Sequence, residues 1–282
     1  MPGPRGERPA VTGAAAKAAA EYLASLTLGN PEAIEYDFKS LPRPKGHATR
    51  VIVTEYDLPR KEAMPHDVIV DADGKVWYID FGHQFAGVMD AKTGQVKDIP
   101  IPVLKPEQPK GGLDLQFDPQ GNLWLSLMYQ AGIAKIDRKT HEVTMYPFPK
   151  GWQTPSTQAS MVAPGNSDAD GKVWTNNQED HYGYRLDLAT GRFEDMGPAK
   201  AADGKRIRAY GMPTDLQNNV YQLEFGNKHI GRRDGKTGAV VEYLLPKTTN
   251  IRRVFVDDTG SRPVFWVGSN LGASIVKVEP LD

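Results

Sequence analysis

With 282 residues, a formal net charge of −1 and a charged fraction of 24%, the chain lacks the basic face that phosphate-backbone binding needs, which argues against nucleic acid as a partner. It has no cysteine, so disulfides, thiolate metal sites, cysteine nucleophiles and thioether-linked haem are excluded. No apolar run is long enough to span a membrane, and 28 Gly with 22 Pro describe a turn-rich globular chain large enough to bury a sizeable core.

The first 50 residues stand apart from the rest. Ala14–Leu28 is helix-prone, with Ala19, Tyr22, Leu23 and Leu26 at helical spacing on one face. Lys17 and Glu21 interrupt the apolar core that a signal peptide needs, so no export signal is expected in the chain as given. Pro42-Arg43-Pro44-Lys45 then reads as a linker, which gives a division into a helical tail over 1–50 and a folded domain over 51–282.

The folded domain is repetitive. Gly74-Lys75-Val76-Trp77 returns as Gly121-Asn122-Leu123-Trp124 and Gly171-Lys172-Val173-Trp174, with weaker copies ending at Tyr221 and Trp266. A second phrase keeps the same step: Asp90-x-x-Thr93-Gly94, Asp137-x-x-Thr140, Asp187-x-x-Thr190-Gly191 and Asp234-x-x-Thr237-Gly238. In the first copy, short strands are expected over Asp67–Val70, Val76–Ile79, Gly87–Met89 and Val96–Ile99, joined by turns at Asp73-Gly74 and Lys92-Thr93-Gly94. Four antiparallel strands per repeat with no intervening helix make a propeller blade, so the expected fold is an all-β propeller of five four-stranded blades. The fifth copy stops after its third strand, and Val53-Thr54-Glu55-Tyr56-Asp57-Leu58-Pro59 matches the blade ending Val240-Val241-Glu242-Tyr243-Leu244-Leu245-Pro246. The N-terminal strand Val53–Leu58 is therefore expected to pair with Ile275–Val278 and close the ring.

In such a blade the start of the first strand lies beside the end of the second, on one rim of the channel. The paired rim positions are His66/Asp80, Leu113/Leu127, Ser160/Asn177, Tyr210/Glu224 and Arg252/Ser269. This mixture of imidazole, carboxylate, amide, phenol and guanidinium is read as a site for a small molecule or peptide. The polar run Asn176-Asn177-Gln178-Glu179-Asp180-His181 and the loop aromatics Tyr129 and Trp152 lie at the same end. Asp71-x-Asp73-Gly74 and Asp168-x-Asp170-Gly171 are read as hairpin turns, because a calcium loop starting at Asp71 would need Glu where Gly82 stands.

The stretch Pro65-His66-Asp67-Val68-Ile69-Val70-Asp71, continuing through Gly74-Lys75-Val76-Trp77-Tyr78-Ile79-Asp80, resembles the repeat of the streptogramin B lyases (virginiamycin B lyase). Ile230-Gly231-Arg232 and the Glu242-Tyr243-Leu244-Leu245-Pro246 ending resemble that family too, over about residues 51–282. The resemblance is greatest to a lyase-like branch of unassigned activity, in which the propeller can follow a cytochrome c-type domain. Ala18–Leu26 resembles the last helix of such a domain, and the resemblance then implies an exported, periplasmic parent.

What the family resemblance implies is a seven-bladed enzyme of antibiotic resistance, opening a cyclic depsipeptide at its ester by elimination. A Pro-His imidazole abstracts a proton beside a carbonyl, and a divalent ion, magnesium, steadies the enolate. His66 falls on the Pro-His position, and Asp80 and Glu224 fall on the acidic position after the aromatic, as metal ligands. The pattern is incomplete: there is one Pro-His, Leu113 and Arg252 hold its place in adjacent copies, and five copies stand where the family has seven. The expectation is a lyase-like propeller, monomeric, with weak or absent lyase activity. Its rim site would be ligand-binding through Tyr210, Arg252, Asn177, His181 and Tyr129. Two other readings stay open, an active metal-dependent lyase and a protein-interaction scaffold.

Overall fold

The computed structural model of the chain describes residues 13–27, 45–201, 203–207, 209–223, 227–249, 251, 254–269 and 274–281. Two compact units are present, Met1–Glu55 and Tyr56–Asp282. In the first, the alanine-rich run forms helix α1 (Gly13–Thr27), as the high helix propensity of alanine favours, with Lys17 and Glu21 one turn apart at 3.8 Å. Tyr22 and Leu23 on this helix are exposed. No helix among the described residues is long and apolar enough to cross a membrane.

The second unit is all-β. Among the described residues it has eighteen strands in five antiparallel sheets. The first sheet has β1 (Pro65–Val70), β2 (Lys75–Asp80), β3 (Phe85–Asp90) and β4 (Val96–Pro100). The second has β5 (Leu115–Phe117), β6 (Leu123–Ser126), β7 (Gly132–Ile136) and β8 (Val143–Pro147). In the third are β9 (Ala159–Ala163), β10 (Lys172–Asn177), β11 (Tyr182–Asp187) and β12 (Arg192–Pro198). The fourth holds β13 (Val220–Leu223), β14 (Asn227–Arg233) and β15 (Val240–Thr249); the fifth holds β16 (Val254–Asp257), β17 (Val264–Ser269) and β18 (Ser274–Val278).

The expected four strands are thus complete in three sheets only. In the fourth, the innermost strand is reduced to a single bridge, Thr214 to Val220. Pro213, which has no N–H to give a ladder, occupies that strand. In the fifth, the expected outermost strand is missing. Residues 51–58 carry no strand, and the described residues show no second ladder on β18. Tyr56 instead donates from its phenol to the carbonyl of Ala91, in the β3–β4 turn of the first sheet (3.0 Å).

Both repeated phrases have a structural role. Asp71 and Asp118, in the β1–β2 and β5–β6 turns, accept from the indole N–H of Trp77 and Trp124 at 2.9 Å each. Asp215 accepts from the Tyr221 phenol in the same way at 2.8 Å. Asp71 also takes the backbone N–H of Asp73 and Lys75, so its carboxylate fixes the turn rather than a calcium ion. Burial alone would raise the Asp71 carboxyl, but the Trp77 indole and these N–H donors outweigh it and hold it below the usual carboxylate range. Asp90, Asp137 and Asp234 each accept the N–H groups two and three residues on, closing the β3–β4 type of turn.

The core is a row of sheet-on-sheet contacts. Trp77 is covered by Leu123, Leu125 and Leu127 of the second sheet, and Trp124 by Val162, Val173 and Leu186 of the third. Trp174 meets Met212 and Val220 from the fourth copy, and Tyr221 meets Phe265 and Val267 of the fifth sheet. All four aromatics are fully buried. Each contributes about 150–250 Å² of buried surface to this stack.

Candidate functional site

Antiparallel pairing of Pro65 with Asp80 brings the start of β1 beside the end of β2, and this end of each sheet forms one rim. His66 lies there, partly exposed, with Nδ1 2.8 Å from Oδ1 of Asp67 and its ring tilted against Phe81 at 5.3 Å. Asp80 is fully buried, and its Oδ1 accepts from the N–H of Met64, Gly82 and His83 at 3.3, 2.9 and 3.0 Å. Nδ1 of His83 is 3.3 Å from the same oxygen. Its Oδ2 faces Nη2 of Arg60 at 2.8 Å. Arg60 also donates from Nε to Asp98, whose other oxygen accepts from Tyr78 at 2.6 Å. Gly87 makes this possible, since a Cβ there would fall 2.2 Å from the Tyr78 ring.

Burial would raise the Asp80 carboxyl, yet the Arg60 guanidinium and the backbone donors hold it below the usual range. A carboxylate with one oxygen on three backbone N–H groups and the other against a permanent cation does not fit the role of magnesium ligand that the family resemblance assigns to it. Glu224, the second carboxylate of that expectation, and Arg252 lie outside the described residues. Among the described residues, no group of three His, Asp or Glu could hold a metal ion.

The second sheet contributes an apolar segment of rim, Leu113 and Leu127, both buried. Tyr129 sits half-buried in the 3₁₀ turn Met128–Gln130. The neighbouring Gln130 is completely buried, and its amide holds the inter-sheet loop in five places. Oε1 accepts from the N–H of Leu104 and Lys105, and Nε2 donates to the carbonyls of Lys105, Gln108 and Pro109.

The third sheet carries the densest polar group. Ser160 Oγ donates to Oδ1 of Asn176 (3.1 Å) or Oε1 of Gln178 (3.2 Å), and Asn176 Nδ2 donates to Gln178 Oε1 at 3.1 Å. His181, left-handed at φ 59°, has Nδ1 3.5 Å from Gln178 Nε2. The expected partner of Ser160 was Asn177, but strand alternation turns Asn177 to the other face. There its Oδ1 accepts the N–H of Gln158 and Glu179, holding the loop. Glu179 is a loop fastener too, taking the hydroxyls of Thr154 and Ser156 at 2.6 Å each. Asp180 lies half-buried beside it, and burial pushes its carboxyl up.

Asn176 and His181 line a small cavity of about 10 Å³ with Gln222, Tyr182, Ala209 and Met212. Gln222 is 2% exposed and its Oε1 has no hydrogen-bond partner. Tyr210, the fourth copy's rim residue, is packed into the Met161, Trp174 and Met212 cluster. A second cavity of about 150 Å³ lies among the inner strands, lined by Asp114, Gln116, Met161, Val162, Met212 and Val254. Asp114 is buried, and its Oδ2 accepts from the N–H of Val162 and from Gln116 Nε2. Neither Asp114 nor Gln222 was expected at the site. Asp114 was legible in principle, because it stands ten residues before Trp124, as Asp67 does before Trp77.

No family model and no curated protein matches the chain. Solved structures do. A catalytically inactive virginiamycin B lyase from Staphylococcus aureus with quinupristin aligns at a TM-score of 0.60 and 20% identity, over 80% of this chain and 72% of that one. The extracellular domain of a hybrid two-component system from B. thetaiotaomicron aligns at 0.54 and 16%, over 78% of this chain and 30% of that one. A gluconolactonase from Xanthomonas campestris aligns at 0.53 and 10%, over 77% and 73%. The chain therefore has the β-propeller fold, with a fold-level resemblance to streptogramin B lyases.

Proposed function

We propose that the chain is a propeller of five blades whose channel rim binds an uncharged, hydrogen-bonding small molecule or peptide. The observation that carries this reading is Gln222. It is a buried amide whose carbonyl oxygen lacks a partner, beside the linked side chains of Asn176, Gln178, Ser160 and His181. A buried acceptor left unpaired costs about 1–3 kcal/mol, which a donor from a ligand or a bound water would recover. The chain would keep such a group where it serves binding. Neutral amide and hydroxyl groups suit amide or hydroxyl ligands. They give no preference for a phosphate.

The second reading is elimination on a cyclic depsipeptide ester. It rests on the likeness to the lyase solved with quinupristin and on His66, whose ring is oriented by Asp67. A base of this kind is worth roughly 10²–10⁴-fold. Stabilisation of the growing oxyanion must come as well, and Asp80 is already committed to Arg60. Slow or absent turnover is therefore expected.

One experiment separates the two. Quinupristin is incubated with the chain and with His66→Ala, with and without magnesium, and both binding and ring opening are followed. Binding without ring opening, weakened by Gln222→Leu, supports the binding propeller. Fast magnesium-dependent opening that is lost in His66→Ala would establish the lyase instead. If quinupristin neither binds nor opens, a panel of neutral peptides and oligosaccharides is the next probe of the same rim.

A further inference from the structure

Arg60 lies in the segment that leads into β1, and its side chain is mostly buried on the first sheet. Its guanidinium stands over the Phe85 ring, 4.2 Å from the centroid, and meets two carboxylates. Nε donates to Oδ2 of Asp98 at 2.7 Å, an ordinary charge-assisted hydrogen bond. The contact with Asp80 is different. Nη2 lies 2.8 Å from Oδ2 as an ion pair, poorly aligned for a hydrogen bond, and this buried oxygen has no other partner. Nη1 is buried without a partner as well. What holds Oδ2 of Asp80 is the Arg60 cation beside it.

We propose that Arg60 is the resident cation of this rim. Its guanidinium takes the place at Asp80 that the streptogramin lyase resemblance gives to a divalent ion, and removing it uncovers a latent metal site between Asp80 and Asp98. Two carboxylates converge on one positive charge in a space closed by Phe85 and the Tyr78 ring, and hard divalent ions are bound by such oxygen pairs. The single guanidinium charge leaves that pair one unit negative, whereas a divalent ion would balance it. What favours the guanidinium is attachment. It is part of the chain, permanently charged, and competes at the effective concentration of a tethered group, while a free ion must be drawn from solution. The assignment concerns the cation at Asp80 and stands or falls separately from ligand binding at Gln222.

The test is a calorimetric titration of the full chain with MnCl2, repeated with MgCl2. The wild type is expected to show no saturable binding up to about 1 mM, the weak end of divalent sites in proteins. Arg60→Ala is expected to gain a single Mn²⁺ site at least tenfold tighter than that limit, and adding Asp80→Asn should abolish it. Wild-type Mn²⁺ binding that disappears in Asp80→Asn would overturn the proposal, and so would a folded Arg60→Ala protein that gains no site. If Arg60→Ala fails to fold, Arg60→Gln replaces it, since glutamine still donates to one carboxylate. If neither variant folds, broadening of the wild-type His83 ring signals by Mn²⁺ decides. Broadening at 1 mM or below, on that same scale, overturns the assignment, and its absence upholds it.

Discussion

Trp77 and Trp266 hold the same register position in the first and fifth sheets, yet Trp77 is fully buried and Trp266 is 42% exposed. Ile69, Trp77 and Val88 form one cross-strand row, and Phe255, Trp266 and Lys277 form its counterpart. The two rows differ in their cover. Trp77 is capped by the second sheet, whereas Phe255 and Ile275 are exposed beside Trp266. At the other end of the stack, Val68 and Val70 of β1 are exposed on the face opposite Trp77. The two bare faces are the two halves of the contact that every neighbouring pair of sheets already makes.

These two faces are expected to meet in solution and close the ring. Trp266→Ala should then destabilise the chain as Trp77→Ala does, by about 3–5 kcal/mol in urea unfolding. A loss within about 0.5 kcal/mol, as for an exposed side chain, would mean that the face stays open. Deletion of residues 1–59, which include the segment expected from the sequence to complete β18, should cause aggregation. Analytical ultracentrifugation of the full chain separates closure within one molecule from two copies completing each other.

Asp118→Ala removes the acceptor of the Trp124 indole and the anchor of a turn in one step. A cost of about 1–3 kcal/mol is expected, because the indole N–H is left buried and unpaired. Asp118→Asn, which keeps one acceptor oxygen, should cost less. Equal losses for both variants would show that charge, not hydrogen bonding, holds the turn.

His141 gives the molecule an acid-sensitive joint between its first two sheets. Its Nδ1 is 2.8 Å from Lys97 Nζ, and the ring stands edge-on to Trp77. Burial, then Lys97 and Lys75, push its pKa below the ordinary histidine value, with Asp137 opposing weakly. A depressed histidine pKa means that the unfolded chain takes up the proton first. Stability should therefore fall as pH drops below about 6.5 and level off once the folded-state pKa is passed. His141→Gln should flatten that step in pH-dependent thermal melts, leaving the losses below about pH 4 that come from Asp71 and Asp80.

Gln222→Leu should leave stability unchanged or raise it by up to about 1 kcal/mol, because an unpaired buried carbonyl is replaced by an apolar group. The same change should weaken rim binding. A stabilised variant with undiminished binding would remove Gln222 from the site.

The repeat made the sheets legible because its two phrases mark turns. Asp71 and Asp90 each shape the turn they occupy by bonding its backbone, and the strands between them are set by those turns. The site was less legible. His66 and Asp80 were placed at one end of the first sheet by pairing alone, but nothing in the local pattern announces that Arg60, from a preceding segment without strand, occupies Asp80. Asn177 stands three residues after Trp174, as Asp80 does after Trp77, but the side chain that meets Ser160 is that of the adjacent Asn176, on the other face of the strand. The register shift between Thr175 and Asn177 against β9 is not legible in the local pattern either.

Gln130 has a further consequence, for how such a rim can change over generations. Because one interior amide grips the backbone of the loop between Leu104 and Pro109, the loop's path does not depend on the side chains it displays. Glu107 and its neighbours can be rewritten by mutation while the curve they ride on is inherited intact. New recognition can then arise there one residue at a time, without passing through a misfolded ancestor.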